Sequence, residues 1–265
     1  MHDSKTFVKS VEPAERDISV ATYNIHRCRG RDGRRDPERI VQIIREINAD
    51  IIGLQELDTS AEDRKGSCHI HDILEEIGLN VVHGAARGHR LGRYGNALIT
   101  THRILDVRQL NLSVPWREPR CALDVDLDVD GTRVQVIVTH LGLRAYERRY
   151  QVRRLLDVIS REDDRFVIML GDFNEWLPVN GRARSLCSHL GKCPRRRTFP
   201  SGYPFLALDR IWVRPQSSLT DIYVHDSPAA RVASDHLPLK GRIILKRGSD
   251  RKPMPQLQRI GGCEL

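Results

Sequence analysis

Aromatic side chains are scarce in this sequence: 3 Trp, 6 Tyr and 5 Phe among 265 residues, 5% of the chain. That argues against the extended base-stacking platform on which single-strand binders depend. Lysine is rare too, supplying only seven of the 43 basic residues. No apolar run approaches the roughly 20 residues a membrane helix needs, and the opening MHDSKTFVKSVEPAERDISV has no apolar signal-peptide core. A cytoplasmic location is the expectation, with peripheral attachment to a membrane surface as its variant. The six cysteines (Cys28, Cys68, Cys121, Cys187, Cys193 and Cys263) include no CxxC pair and are too sparse for a disulfide-built scaffold, so they read as reduced thiols. Cys187, His189 and Cys193 lack the second ligand pair of a structural zinc site, and Cys263 stands third from the end, where prenylation needs the fourth position.

What is abundant is apolar content, at 40%, and positive charge: 43 Lys and Arg against 35 Asp and Glu leave a formal net charge of +8. The length suits one domain with a large core. A positive surface favours polyanions such as nucleic acid or acidic lipid head groups without choosing between them. We read residues 1–17 as a polar leader, 18–245 as the domain and 246–265 as a polar, disordered tail.

Within the domain, apolar runs alternate with polar loops. Ile18 to Tyr23 reads as a strand delivering Asn24. After an Arg/Gly-rich loop at 27–35, Asp36 is a good N-cap, Pro37 suits the first helical turn, and Ile40, Ile43, Ile44 and Ile47 make one face. Residues 50–56 read as a buried strand ending in a carboxylate. Strands are expected at 95–101 and 104–112, and a hairpin at 121–128 and 132–140 closed by Asp130-Gly131, a dipeptide that tolerates a type I′ turn. Asp126-x-Asp128-x-Asp130-Gly131 imitates the start of a calcium loop. Its twelfth position is Ile137 rather than Glu, however, and the residues between the aspartates are apolar, so a half-exposed strand is the better reading. A helix follows at 145–160, with Val152, Leu155, Leu156 and Ile159 apolar, then a buried strand at 166–170. Residues 178–205, which include Arg195, Arg196 and Arg197, read as irregular structure beside the site. The last strands are expected at 208–213 and 237–245.

Polar residues recur at the ends of these strands. Asn24 follows VATY, Glu56 follows IIGLQ, His140 follows VQVIVT, and Asp172 and Asn174 follow FVIMLG. Strand ends of packed sheets hold side chains rigidly enough for catalysis. Taken in order, YNIH, LQE, THL, GDFN, LDRIWV and SDHLP resemble the endonuclease/exonuclease/phosphatase family of deoxyribonuclease I-like, metal-dependent phosphoesterases, from about Ile18 to Leu245. The stretches THLGLRAYERRYQ and RTFPSGYPFLALDRIWV look most like its compact bacterial members, and the GNAL segment is similar to sphingomyelinase-type sequences.

The resemblance implies an α/β fold: a four-layer sandwich of two packed mixed β-sheets flanked by helices. It implies a phosphoric ester hydrolase using Mg²⁺, or Mn²⁺, held by Glu56 with Asn24 and Asp235 near the metal. Asp172 would orient or deprotonate the attacking water, and Asn174 would hold that water or a phosphate oxygen. His236, paired with Asp209, and His140 would bind the phosphate and its developing charge. Arg120, in WREPR with Arg117 and Glu118, and Asn96, in Tyr94-Gly95-Asn96, match stretches where relatives place substrate-side residues. Deoxyribonuclease I-like members set a glutamate near Tyr94 to partner the first histidine, whereas the residues there are Gly95 and Asn96. The expected activity is phosphodiester hydrolysis by a monomer, on a phospholipid head group, DNA or a small ester. A DNA endonuclease or exonuclease is the enzyme rival, and a non-catalytic binding module on the same fold the rival of another class.

Overall fold

Along β1 (Glu15–Asn24) the side chains alternate: Ile18 and Val20 enter one buried cluster, Ala21 and Tyr23 another. A strand apolar on both faces must be covered on both, and that requirement produces the layers. In the computed structural model, which describes residues 15–58, 74, 79–85, 94–159, 165–176 and 183–246, β1 belongs to a six-stranded sheet ordered β10-β11-β1-β2-β4-β3. Its other members are β2 (Ile51–Asp58), β3 (Asn80–Ala85), β4 (Tyr94–Thr100), β10 (Leu219–Val224) and β11 (Leu239–Lys246). A five-stranded sheet, ordered β5-β6-β7-β8-β9, consists of β5 (Arg103–Asn111), β6 (Cys121–Val129), β7 (Thr132–His140), β8 (Phe166–Asp172) and β9 (Asp209–Arg214).

The two sheets face each other across a core that includes Val20, Ile51, Leu98, Val125, Val138, Leu170 and Ile211. On the outer side of the first, α1 (Pro37–Ile47) and the short α4 (Ala230–Ala233) bury Ile40, Ile43, Ile44 and Ala230 against Tyr23 and Leu54. On the outer side of the second, α2 (Ala145–Ile159) and α3 (Ala183–Leu190) bury Leu155, Ile159, Leu186 and Leu190 against Ile137, Met169 and Trp212. Helix, sheet, sheet, helix is the expected four-layer sandwich. Both sheets are mixed: β1 pairs parallel with β2 and β7 with β8, and the remaining pairs are antiparallel.

Local chemistry explains several boundaries. The Asp36 side chain accepts the Arg39 N–H at 2.9 Å and Pro37 opens α1, which Asn48 ends in a left-handed conformation. Asp130 and Gly131, at φ 50° and 83°, close the β6–β7 hairpin. Three details differ from the sequence reading. Helix α3 lies inside the stretch read as irregular, β3 and β10 had no counterpart in it, and β1 starts at Glu15 while β11 runs to Lys246. The remainder of the leader and tail, residues 1–14 and 247–265, lies outside the described residues.

β6 departs from expectation more instructively. Its alternation is as predicted, yet the face bearing Asp124 and Asp126 is buried rather than half-exposed. Arg108 from β5 holds Asp124 and Asp126 at 2.9 Å, Arg133 from β7 also reaches Asp126, and Gln135 donates to Asp124 at 2.8 Å. Three polar side chains thus roof two carboxylates that β-pairing alone would leave in water. Burial works against the charged Asp126, but the hydrogen bonds from Arg108 and Arg133 win and hold its carboxyl below the ordinary 3.8. Its contribution to stability is therefore complete above pH about 4 and is lost as pH falls through the depressed folded value. Asp126→Ala strands the arginines and should cost about 3 kcal/mol in urea unfolding at pH 7. The gap from wild type should close progressively below pH 4. A variant as stable as wild type at neutral pH would contradict this.

Candidate active site

Three strand termini of the five-stranded sheet stand side by side. β7 ends on His140, β8 ends on Asp172 and β9 begins on Asp209, and the ladder pairs His140 with Asp172 and Asp172 with Asp209. Three residues 32 and 37 positions apart in sequence become neighbours at strand spacing. β8 reaches this edge only with glycine at 171: a Cβ there would lie 2.0 Å from Thr139 O, and φ is +156°. The six-stranded sheet supplies Asn24 at the end of β1 and, beside it, Glu56. Glu56 sits at a bulge in the β2–β4 pairing, between Leu54 and Leu57, with φ 60°. The bulge takes its side chain out of the ladder toward the cleft. Asp235 and His236 arrive on the turn before β11, tied down by Ser234, whose hydroxyl donates to Asn24 O at 2.8 Å.

Asp209 is buried behind His236, and Asn24, Glu56, His140, Asp172, Asn174, Asp235 and His236 line one cavity of about 690 Å³. At its floor is the Asp172 carboxylate, 1% exposed. Its Oδ1 accepts the Asn174 N–H at 2.9 Å; its Oδ2 accepts from Asn24 Nδ2 at 3.2 Å and lies 3.5 Å from His140 Nε2 and 3.7 Å from His236 Nε2. Asn24 Nδ2 also reaches Glu56 at 3.3 Å, while its Oδ1 accepts the His26 N–H at 3.0 Å.

The two histidines are held in opposite charge states. His236 Nδ1 is 2.9 Å from Asp209 Oδ2, which also accepts from the Thr198 hydroxyl, and the ring leans on Phe199 at 4.9 Å between centroids. Burial opposes its charge, but Asp209 and then Asp172 outweigh burial and raise its pKa well above 6.5. The Asp209 contact also fixes the ring orientation, leaving Nε2–H to the cavity. His140 Nδ1 is 3.2 Å from Arg120 Nη1. A guanidinium only donates, so Nδ1 accepts and Nε2 carries the hydrogen. Burial, then Arg120, then His236 push this ring well below 6.5. Asn174 Nδ2, 3.1 Å from His140 Nε2, is itself a donor and gives its hydrogen to Leu141 O at 2.9 Å, so the acceptor facing the Nε2 hydrogen is Asp172 Oδ2 at 3.5 Å. At Nδ1 the expected carboxylate partner of His140 is thus replaced by a cation. Arg120 itself is anchored by Glu118 at 2.9 Å. Burial also raises the Asp172 carboxyl, against the nearby His236 charge.

The five residues expected at strand ends and Asp209, Asp235 and His236, which the resemblance implied, come together, seven of them on the cavity wall with Asp209 behind His236, and Arg120 joins them. Asn96 does not: β4 turns it inward, where its Nδ2 donates to Cys121 O at 2.8 Å, and it is absent from the cavity lining. Sequence reasoning missed Thr198 and Phe199, inside the stretch taken as irregular, and the contributions of His26, Arg27, Arg29 and Trp176 to the wall. Thr198 had no signal, whereas the arginines were visible in the 27–35 loop without a role.

As for a metal, Asp172, Asp209 and His236 offer ligand atoms within 4.8 Å of one another. Asp209 and His236 are already spent on each other, however, so that group reads as a hydrogen-bonded relay. Glu56 and Asp235 are the alternative, two carboxylates on the wall of the same cavity that suit a hard cation; Asn24 would join them by turning its Oδ1 from the His26 N–H, its Nδ2 now facing Glu56.

The Endonuclease/Exonuclease/phosphatase family model matches residues 21–236, and the chain belongs to that family, whose members are typically metal-dependent hydrolases of phosphoester bonds. YbhP of Escherichia coli K12, an uncharacterized protein, is 28% identical over 252 residues, covering 86% of this chain and 96% of YbhP. The fold matches a Bacteroides vulgatus endonuclease/exonuclease/phosphatase (TM-score 0.70, 17% identity, 88% of this chain and 100% of that one) and the human Nocturnin catalytic domain with bound sulfate (TM-score 0.63, 19% identity, 90% and 100%). No helix among the described residues is long and apolar enough to cross a membrane.

The Arg120 contact predicts an NMR result. In metal-free protein the His140 imidazole should be neutral at pH 7 and titrate well below 6.5. Arg120→Gln, which removes a lowering charge, should move its titration upward. An unchanged His140 titration would separate the two side chains electrostatically.

Proposed function

We propose that the chain is a Mg²⁺-dependent phosphodiesterase in which Asp172 orients and deprotonates the attacking water. The observation that carries the reading is Asp172 Oδ2, shared among Asn24, His140 and His236 within 3.7 Å at the floor of a cavity that also holds Glu56 and Asp235. A buried carboxylate with a raised pKa suits a general base. The charged His236 and the neutral, Nε2-protonated His140 present N–H groups on either side of it, as a phosphate with growing negative charge requires. Asp209, itself held by the Thr198 hydroxyl, orients the charged His236 ring, and the Asn174 N–H fixes Asp172 from its other oxygen. Glu56, Asn24 and Asp235 would hold Mg²⁺, with Mn²⁺ acceptable to the same oxygens. When bound, the cation supplies charge neutralisation at the phosphate oxygens. The sulfate bound in Nocturnin, a tetrahedral anion, supports a phosphate-binding reading.

A second reading, a DNA endonuclease or exonuclease, draws support from Arg27, Arg29 and Arg35 along the cavity wall, since nucleic acid binding depends on phosphate contacts. A phospholipid head group is the other source of such a diester. A non-catalytic module is disfavoured because each position needed for chemistry is filled.

Purified protein should hydrolyse bis(p-nitrophenyl) phosphate with Mg²⁺ and lose the activity in EDTA. Asp172→Asn and His236→Ala, verified as folded by circular dichroism, should each lower kcat by about 10² to 10⁴. Full activity in EDTA would remove the metal, and an active Asp172→Asn would remove the base. Nicked plasmid DNA against mixed phospholipids, assayed side by side, separates the two readings.

A further inference from the structure

Exposed apolar side chains are not scattered over the described surface. Val107, Tyr223 and Val232 stand singly on β5, β10 and α4, but Trp116, Leu143, Tyr146, Tyr150 and Trp176 share one region. Asn111 pairs with Cys121, Ala122 with Thr139 and His140 with Asp172. The loops at 112–120 and 141–144 and the segment after Asp172 therefore all leave the five-stranded sheet at the edge where His140 and Asp172 stand. Tyr146 and Tyr150 follow on the first two turns of α2, and Leu143 and Trp176 reach the cavity wall. Tyr203 and Phe205, exposed in the stretch that leads into β9, belong to the same edge.

These side chains are held out into water by fixed backbone. Trp116 tops a turn closed by the Arg117 N–H on Val114 O at 3.2 Å, takes φ 63° and is 99% exposed. A left-handed tryptophan persists only where its surroundings fix it, and such strain collects at ligand sites. The Arg117 guanidinium lies over the Tyr146 ring, 5.5 Å from its centroid, and donates to the Tyr146 hydroxyl. The buried Arg148 lies over the Trp176 ring at the same distance, donates to Leu143 O at 2.6 Å and reaches Glu175 at 3.4 Å. One guanidinium thus ties the loop that carries Leu143 to the segment that carries Trp176. Clustered apolar surface kept in water costs free energy and marks an interaction site.

Charge completes the surface. Tyr146, Arg149, Tyr150 and Arg153 recur at three- and four-residue spacing, one exposed stripe along α2. Arg144 and Arg154 are exposed beside it, whereas of the helix's two acids Glu147 is buried and Asp157 exposed. Tryptophan and tyrosine set an apolar body and a polar tip at a membrane–water boundary, and arginines beside them meet anionic head groups. Nucleic acid fits less well: Leu143 has no ring, and a guanidinium occupies one face of Tyr146 and of Trp176, where a base would stack.

We propose that this face docks on an anionic phospholipid bilayer, with Trp116, Tyr150 and their neighbours in the interface and the mouth of the cavity turned toward the head groups. The docking goes beyond the phosphodiesterase reading, and its measurement needs no turnover.

The test uses the intact protein in EDTA with sucrose-loaded vesicles of phosphatidylcholine alone or of equal parts phosphatidylcholine and phosphatidylglycerol. Wild type should sediment with the mixed vesicles about tenfold more tightly than with phosphatidylcholine, and added salt should weaken the binding. Trp116→Ser/Tyr150→Ser should lower that affinity roughly 10-fold, and Arg149→Glu/Arg153→Glu roughly 10- to 100-fold. Circular dichroism verifies folding, and either pair serves if the other misfolds. Tyr223→Ser, exposed on β10, should bind as wild type does. Orientation has its own readout: Trp212 is buried, so in Trp116→Phe the exposed tryptophan is Trp176 at the cavity wall, and mixed vesicles should shift its emission to the blue. No preference for mixed vesicles, or unchanged binding in both paired variants, would overturn the docking, and an unshifted Trp176 emission would overturn the orientation. A single-stranded oligonucleotide that binds through Trp116 and Tyr150 while vesicles do not would give the face to nucleic acid, and self-association lost in that variant without vesicle binding would give it to a second copy; either overturns the proposal. Since no arm depends on catalysis, an inactive enzyme that still binds would refute the phosphodiesterase reading alone.

Discussion

The Asp172 carboxylate, almost wholly buried, organises the rest of the site through the company its oxygens keep. An ionised carboxylate removed from water needs donors on its lone pairs or a proton of its own. Here the donors come from four places that the chain must bring together independently: the end of β1 through Asn24, the end of β7 through His140, the turn before β11 through His236, and the backbone of Asn174 just past β8. Shifting either sheet relative to the other would separate Asn24 from Asp172 and leave the charge uncompensated. The packing of the two sheets is in this sense a condition of the site, and the apolar core between them, Val20 and Ile51 against Val138 and Leu170, is what holds that spacing.

Strain gathers where the polar groups are. Glu56 at a bulge, Asn174 just past β8 and the run from His26 to Cys28 all adopt left-handed backbone conformations, each at a cost on the order of 1 kcal/mol for a non-glycine residue. Every one of them lies next to the cavity. A regular strand would point Glu56 along its alternation, into a packed layer; the bulge frees it. Rigid strands with irregular ends thus combine a fixed scaffold with side chains aimed off the ladder.

The environment of His140 differs from that of His236 in a way with chemical consequences. One ring faces Asp209 and keeps its charge; the other faces Arg120 and stays neutral. Identical side chains a few ångströms from one carboxylate are pushed apart in protonation by opposite neighbours, which lets one fold offer a charged and an uncharged donor side by side. Arg120 comes from the loop before β6, where the sequence shows only Arg117 and Glu118, then Pro119 and Arg120, ahead of a strand.

The sequence by itself determined the layers and the chemistry available to them. Apolar runs bounded by Asn24, Glu56, His140 and Asp172 announced buried strands with functional ends, the Asp36-Pro37 pair announced α1, and the ordered motifs carried the family resemblance that implied two packed sheets. These features were legible because they are local: alternation, capping and turn chemistry act over a few residues. What only the tertiary structure decided is long-range. That Asn96 turns into the core, that Thr198 reaches Asp209 from a stretch read as irregular, that Asp124 and Asp126 are roofed by Arg108 and Arg133, and that Arg120 rather than a carboxylate meets His140 all depend on partners contributed by separate segments. No pattern within a segment encodes such a meeting, because the register between strands and the spacing between sheets are set by the packing of the whole core.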